Sequence, residues 1–70
     1  MLVEKVNERT IKYSLTNGFT VVSTLEHEEE RSYETHDVFN KVGEQVYLSQ
    51  DDYRLLRTNL EVGLAKIQAM

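Results

Sequence analysis

The sequence predicts an α+β domain: an antiparallel β-sheet of three to four strands with one C-terminal α-helix packed on one face. Two runs of alternating apolar and polar residues flank Thr16-Asn17-Gly18 in "RTIKYSLTNGFTVVSTL", as in a β-hairpin. A second alternating run occupies Tyr33 to Phe39. The last third places Tyr53, Leu56, Leu60, Gly63, Leu64 and Ile67 on one side of a helical period.

Residues 1–8, with Leu2, Val3 and Val6 as their apolar positions, predict a short strand or a segment lying loosely over an edge. The hairpin that follows admits two registers, and one residue of slip sends every side chain to the opposite face. A two-residue Asn17-Gly18 turn would split the apolar set. A three-residue loop with Gly18 in the left-handed position sets Leu15 against Phe19 and Tyr13 against Val21. Ile11, Tyr13, Leu15, Phe19, Val21 and Leu25 then share a face to be buried. Thr10, Lys12, Ser14, Thr20 and Thr24 share a wet one, as antiparallel sheets often have. The second register is the one expected.

"EHEEERS", Glu26 to Ser32, is the most charged run of the chain, and mutual repulsion makes it a loop or an extended hairpin end. In "YETHDVFNKVGEQVYL" the alternation of Tyr33, Thr35, Asp37 and Phe39 competes with the helical spacing of Phe39, Val42 and Val46. Gly43 costs a helix about 1 kcal/mol and suits a turn, so Tyr33 to Phe39 reads as a third strand and Gln45 to Leu48 as a short fourth. Ser49 followed by Asp52 resembles a capping box, with Asp51 and Asp52 in the first turn where the helix dipole favours acids. The helix is expected from Gln50 to about Gln68.

Seventy residues make a single domain, 1–70, which buries only about 60% of its unfolded surface and gains from a partner. Cysteine is absent, which fits a reducing cytoplasmic setting. The charged start "MLVEKVNERT" is unlike a signal peptide, and no apolar run reaches membrane-spanning length. Twelve acidic against eight basic residues give a net charge of −4, so direct nucleic-acid binding, which needs surplus Lys and Arg, is not expected.

Catalysis is not expected either. There is no cysteine nucleophile, no Gly-x-Ser-x-Gly and no phosphate-cradling glycine loop, and no cofactor is implied. His27 and His36 lie among Glu26, Glu28, Glu30 and Asp37 without a spacing diagnostic of a metal, so no metal is assigned. What remains is surface. Leu55 and Val62, with Asn59 and Lys66 beside them, form a second apolar line on the back of the expected helix. A homodimer through the C-terminal helices, or another protein, would cover it. The acidic run Glu26, Glu28, Glu29 and Glu30 would complement a basic target. The Thr-rich face or its edge would accept an extended peptide.

The segment "GEQVYLSQDDYRLLRTNLE", through Val46, Leu48, Ser49, Asp52, Tyr53 and Leu56, resembles the strand-to-helix unit of Phd/YefM-type antitoxins. The likeness covers under a third of the chain, and the Thr-rich hairpin stands where that family carries its DNA-binding portion. Small size, acidity, the lack of Cys and Pro, and "LTNGFTVV" after a short strand resemble small accessory proteins of bacteriophages. That likeness implies binding to one host protein. The expected function is therefore a non-enzymatic protein-binding module, a small acidic inhibitor or adaptor in a bacterial or phage cytoplasm. Its rivals are an antitoxin-like regulator and an acidic nucleic-acid mimic that blocks a DNA-binding enzyme.

Overall fold

In the computed structural model, which describes residues 1–70, the elements are β1 (Leu2–Asn7), β2 (Thr10–Ser14), β3 (Thr20–Glu28), β4 (Arg31–Phe39), β5 (Gln45–Val46), α1 (Gln50–Thr58) and α2 (Leu60–Gln68). The strands form one antiparallel meander in chain order. Val21 and Val38 from the sheet, with Leu15 just past the end of β2, meet Leu56, Leu64 and Ile67 from the helices in the core, so both helices lie on one face. No helix is long and apolar enough to cross a membrane.

The expected sheet of three to four strands with one helix is corrected at both ends of the chain. Five strands form, because Leu2–Asn7 pairs along β2 from Leu2↔Ser14 to Asn7↔Thr10, with a bulge between Lys5 and Asn7. The Asn7 side chain accepts a hydrogen bond from the Arg9 amide at 2.9 Å, an Asx turn that folds the strand back. Every residue of β1 is exposed, so no buried face imposes the alternation by which a strand is recognised in sequence.

Two helices form because the chain leaves helical geometry at Asn59, with φ −151° and ψ 99°. Asn59 ends α1 by donating its amide to the Leu55 carbonyl at 2.7 Å. It opens α2 by accepting from the Val62 amide on Oδ1 at 3.3 Å. The helices meet at a corner where Leu56 lies against Gly63: a Cβ added at Gly63 would sit 2.6 Å from Leu56 Cδ2. At the start of α1, Ser49 Oγ accepts from the Asp52 amide at 3.2 Å, while the Asp52 carboxylate reaches across to Lys66 of α2.

The β2–β3 hairpin has the three-residue loop, with Tyr13↔Val21 and Ser14↔Thr20 paired. Leu15 donates to the Phe19 carbonyl at 2.8 Å, and Gly18 takes φ +91°, a conformation open to glycine at little cost. Asn17 has two tasks. Its Oδ1 accepts from the Phe19 amide at 2.9 Å, which shapes the loop. Its Nδ2 donates to the Ile67 carbonyl at 3.0 Å, which caps the end of α2 and fixes the helices over this end of the sheet. The acidic run forms the end of the long β3–β4 hairpin, which turns at Glu29 and Glu30 with Glu28 opposite Arg31.

Candidate functional site

The helices cover only the end of the sheet near the β2–β3 loop. Val3, Lys5, Ile11, Tyr13, Ser23 and Leu25 share the helix-side face by their register, yet Val3 and Ile11 are exposed and Leu25 is only half-buried. A depression of about 170 Å³ opens there, with Lys5, Ile11, Tyr13, Ser23, Leu25 and Glu34 among its lining residues. Its apolar lining is Ile11, Tyr13 and Leu25, with Lys5 and Arg9 as cations and Glu8 and Glu34 as anions around it, a mixture that suits a polypeptide ligand better than a small apolar one.

At the boundary between covered and open halves, Ser23 and His36 are paired across β3 and β4, and Ser23 Oγ lies 2.6 Å from His36 Nδ1. His36 Nε2 is buried with no hydrogen-bond partner; Glu34 Oε2 is 3.8 Å away. Burial holds the His36 pKa below the ordinary imidazole value, against the pull of Glu34 and with the help of Arg57. A serine beside a histidine suggests nucleophilic chemistry, but Ser23 is buried and sits mid-strand, opposite Ile11. This pair is a polar plug in the sheet and fixes how β3 and β4 are stacked side by side.

The edge beside this open half is β1. The bonds from Leu25 N to Arg9 O, 2.7 Å, and from Leu15 N to Phe19 O, 2.8 Å, show that odd residues of β2 bond to β3. Even residues, Lys12 and Ser14, therefore bond to Glu4 and Leu2 of β1. By the same alternation the amides and carbonyls of Val3 and Lys5 point away from the sheet, and their side chains lie on the helix side with Tyr13 and Ile11. Leu2, Val3 and Val6 are 68%, 55% and 53% exposed, and with Glu4 and Lys5 between them the edge can pair only with a strand that answers those charges.

The residues singled out in the sequence are dispersed. The break at Asn59 puts Leu55 on α1, half-buried, and Val62 on α2, exposed, so they do not form one line on one helix. Asn59 serves as the corner and cap, and Lys66 is engaged by Asp52, whose pKa that ammonium holds low. Glu26, Glu28, Glu29 and Glu30 are exposed together at the β3–β4 tip. Part of this charge is answered within the tip. Arg31 Nε lies 3.4 Å from Glu28 Oε2, with its guanidinium over the Tyr33 ring at 5.8 Å. The Tyr33 hydroxyl donates to Glu28 at 3.3 Å, and Glu28 raises its pKa. His27 and Ser32 make a second imidazole–hydroxyl pair at 2.7 Å. The residues that sequence reasoning missed are Val3, Lys5 and Glu34, and the charged, non-alternating β1 gave no signal for the first two.

Compared with models of known families, with curated proteins and with solved structures, the chain matches none.

Proposed function

We propose that the protein is a non-enzymatic binding module, an inhibitor or adaptor that attaches to a partner protein through the open half of its sheet. The observation that supports this reading is the incomplete cover: a sheet face carrying Val3, Ile11, Tyr13 and Leu25 extends beyond the helices and ends in a strand, β1, whose outer edge is unpaired. Apolar area left in water favours association. The acidic tip, Glu26 with Glu28 to Glu30, stands out from the same hairpin. It steers the protein toward a basic neighbourhood on the partner, raising the association rate more than the final affinity.

Affinity capture from nuclease-treated bacterial lysate with three proteins tests the reading. These are the wild type, an Ile11→Glu, Leu25→Glu variant and a Leu55→Glu, Val62→Glu variant, each checked to be folded by circular dichroism. One partner is expected to be retained by the wild type and the helix variant and lost by the sheet variant. Loss by the helix variant alone would move the contact to the helix backs, and retention by all three would reject the open sheet face.

A further inference from the structure

We infer that the free edge of β1 is a docking site for an extended segment of a different protein, added antiparallel and reading acidic, basic, apolar in its own N-to-C direction. The inference rests on the binding-module reading and adds the partner's chemistry and direction.

The outward-facing backbone groups are those of Val3 and Lys5, so an added strand bonds to both. Residues directly opposite in an antiparallel pair lie on the same face. The residue opposite Lys5 therefore lies on the helix side beside the ammonium, where an acid is complementary. The residue opposite Val3 lies on that side near Tyr13 and Ile11, where an apolar side chain extends the open face. Between them, the residue opposite Glu4 points to the other side and meets a carboxylate, so a base is preferred. β2 already follows part of this pattern on the inner side, with Lys12 against Glu4 and Tyr13 against Val3.

A second copy of the chain fits the edge poorly. A two-fold axis normal to the sheet sets residues of like parity against one another. The register that uses the most outward bonds, centred on Glu4, opposes two Glu4 side chains at a Cα separation of about 4.5 Å. Centring on Lys5 opposes two ammonium groups, and centring on Val3 avoids like charges but sets Lys5 against Met1 and Glu4 against Leu2, so neither charge is answered. Like charges directly opposite destabilise a strand pair. A foreign strand is free of that constraint.

The test is panning of a phage-displayed random nonapeptide library on the whole wild-type protein, followed by titration of resynthesised peptides with amide chemical shifts as readout. Peptides carrying the acidic–basic–apolar order and shifting the amides of residues 2–7 are expected. Val3→Pro deletes an outward amide and leaves the bonds between β1 and β2 untouched, so it should weaken these peptides at least tenfold. Should Val3→Pro not fold, Lys5→Glu serves instead, with the selected acid replaced by a base. Peptides that shift α1, α2 or the β3–β4 tip and ignore Val3→Pro overturn the edge while the binding-module reading stands. No enriched peptide, with a dimer in sedimentation that Val3→Pro dissociates, overturns the foreign strand in favour of self-pairing. No enrichment, with a monomer or with a dimer that Val3→Pro leaves intact, overturns the edge, and the capture experiment with the Ile11→Glu, Leu25→Glu variant then decides the binding-module reading.

Discussion

Gly63→Ala has opposite signs for a bent and a straight helix. In a straight helix residues 56 and 63 are about 10 Å apart along the axis, and the Leu56 side chain slants toward the N-terminus, away from residue 63. Alanine would then simply improve helix propensity, raising stability by about 1 kcal/mol. At the observed corner the new methyl would lie 2.6 Å from Leu56 Cδ2, 3.0 Å from its Cγ and 3.1 Å from its Cα. The last contact is backbone, so a rotamer change alone does not relieve it. Overpacking of this kind costs about 1–3 kcal/mol, which the propensity gain of about 1 kcal/mol offsets only in part. The expected net loss is up to about 2 kcal/mol, or a fall in Tm of up to about 15 °C for a domain of this size. Thermal and urea unfolding followed by circular dichroism measure it, and Leu56→Ala in the same molecule should recover part of the loss through coupling. A higher Tm for Gly63→Ala would refute the corner.

The remaining predictions concern the cap and the buried histidine. Asn59→Ala removes the acceptor for the Val62 amide and should cost about 1 kcal/mol, whereas Asn59→Asp keeps an acceptor at the start of α2 and should cost little; urea midpoints separate the two. The His36 pKa is lower folded than unfolded, so its contribution to stability is complete above about pH 6.5 and declines as pH falls through that value toward the folded pKa. The slope from this one group is at most about 1.4 kcal/mol per pH unit. Replacing Ser23 by Ala and His36 by Leu together removes both members of the pair and should flatten that decline. Urea midpoints between pH 5 and 8 test this against Glu34 and Asp37 on β4 and Arg57 on α1, the charged groups that act on the imidazole.

How much of this was legible in the sequence depended on whether a residue's neighbours were close along the chain. The Thr16-Asn17-Gly18 loop was legible because turn chemistry and alternation agree there. The start of α1 was legible because Ser49 caps a residue three positions on. The break at Asn59 was hidden, since asparagine also occurs inside helices and the apolar stripe runs on in phase across it. β1 was half legible: Leu2, Val3 and Val6 allowed a short strand or a loose segment, and a strand that buries no face has no alternation to decide between them. The second task of Asn17, at the end of α2, joins residues fifty positions apart, and no local pattern reports such a bond. Ser23 meets His36 only in the β3–β4 register, which turns at Glu29 and Glu30 in the middle of the charged run. The candidate site fell between these cases. Its apolar face was readable, but whether the helices reached its far end was not.

The strictly sequential order of the meander has a consequence for how the molecule opens. β2 and the first part of β3 are held on two sides, β4 has β3 along one side and β5 only at Val38 and Phe39 on the other, and β1 is held by β2 alone. β1 can therefore detach without disturbing the helices, while release of β3 or β4 dismantles the core that Val21 and Val38 share with α1 and α2. Hydrogen exchange should accordingly be fast in β1, in β5 and at the outward amides of β4 beyond β5, and slowest at the amides that β2, β3 and β4 share around Val21 and Val38. When β1 lifts away, the row of bonding groups on Lys12 and Ser14 becomes the new margin, so the molecule presents two successive borders of different depth.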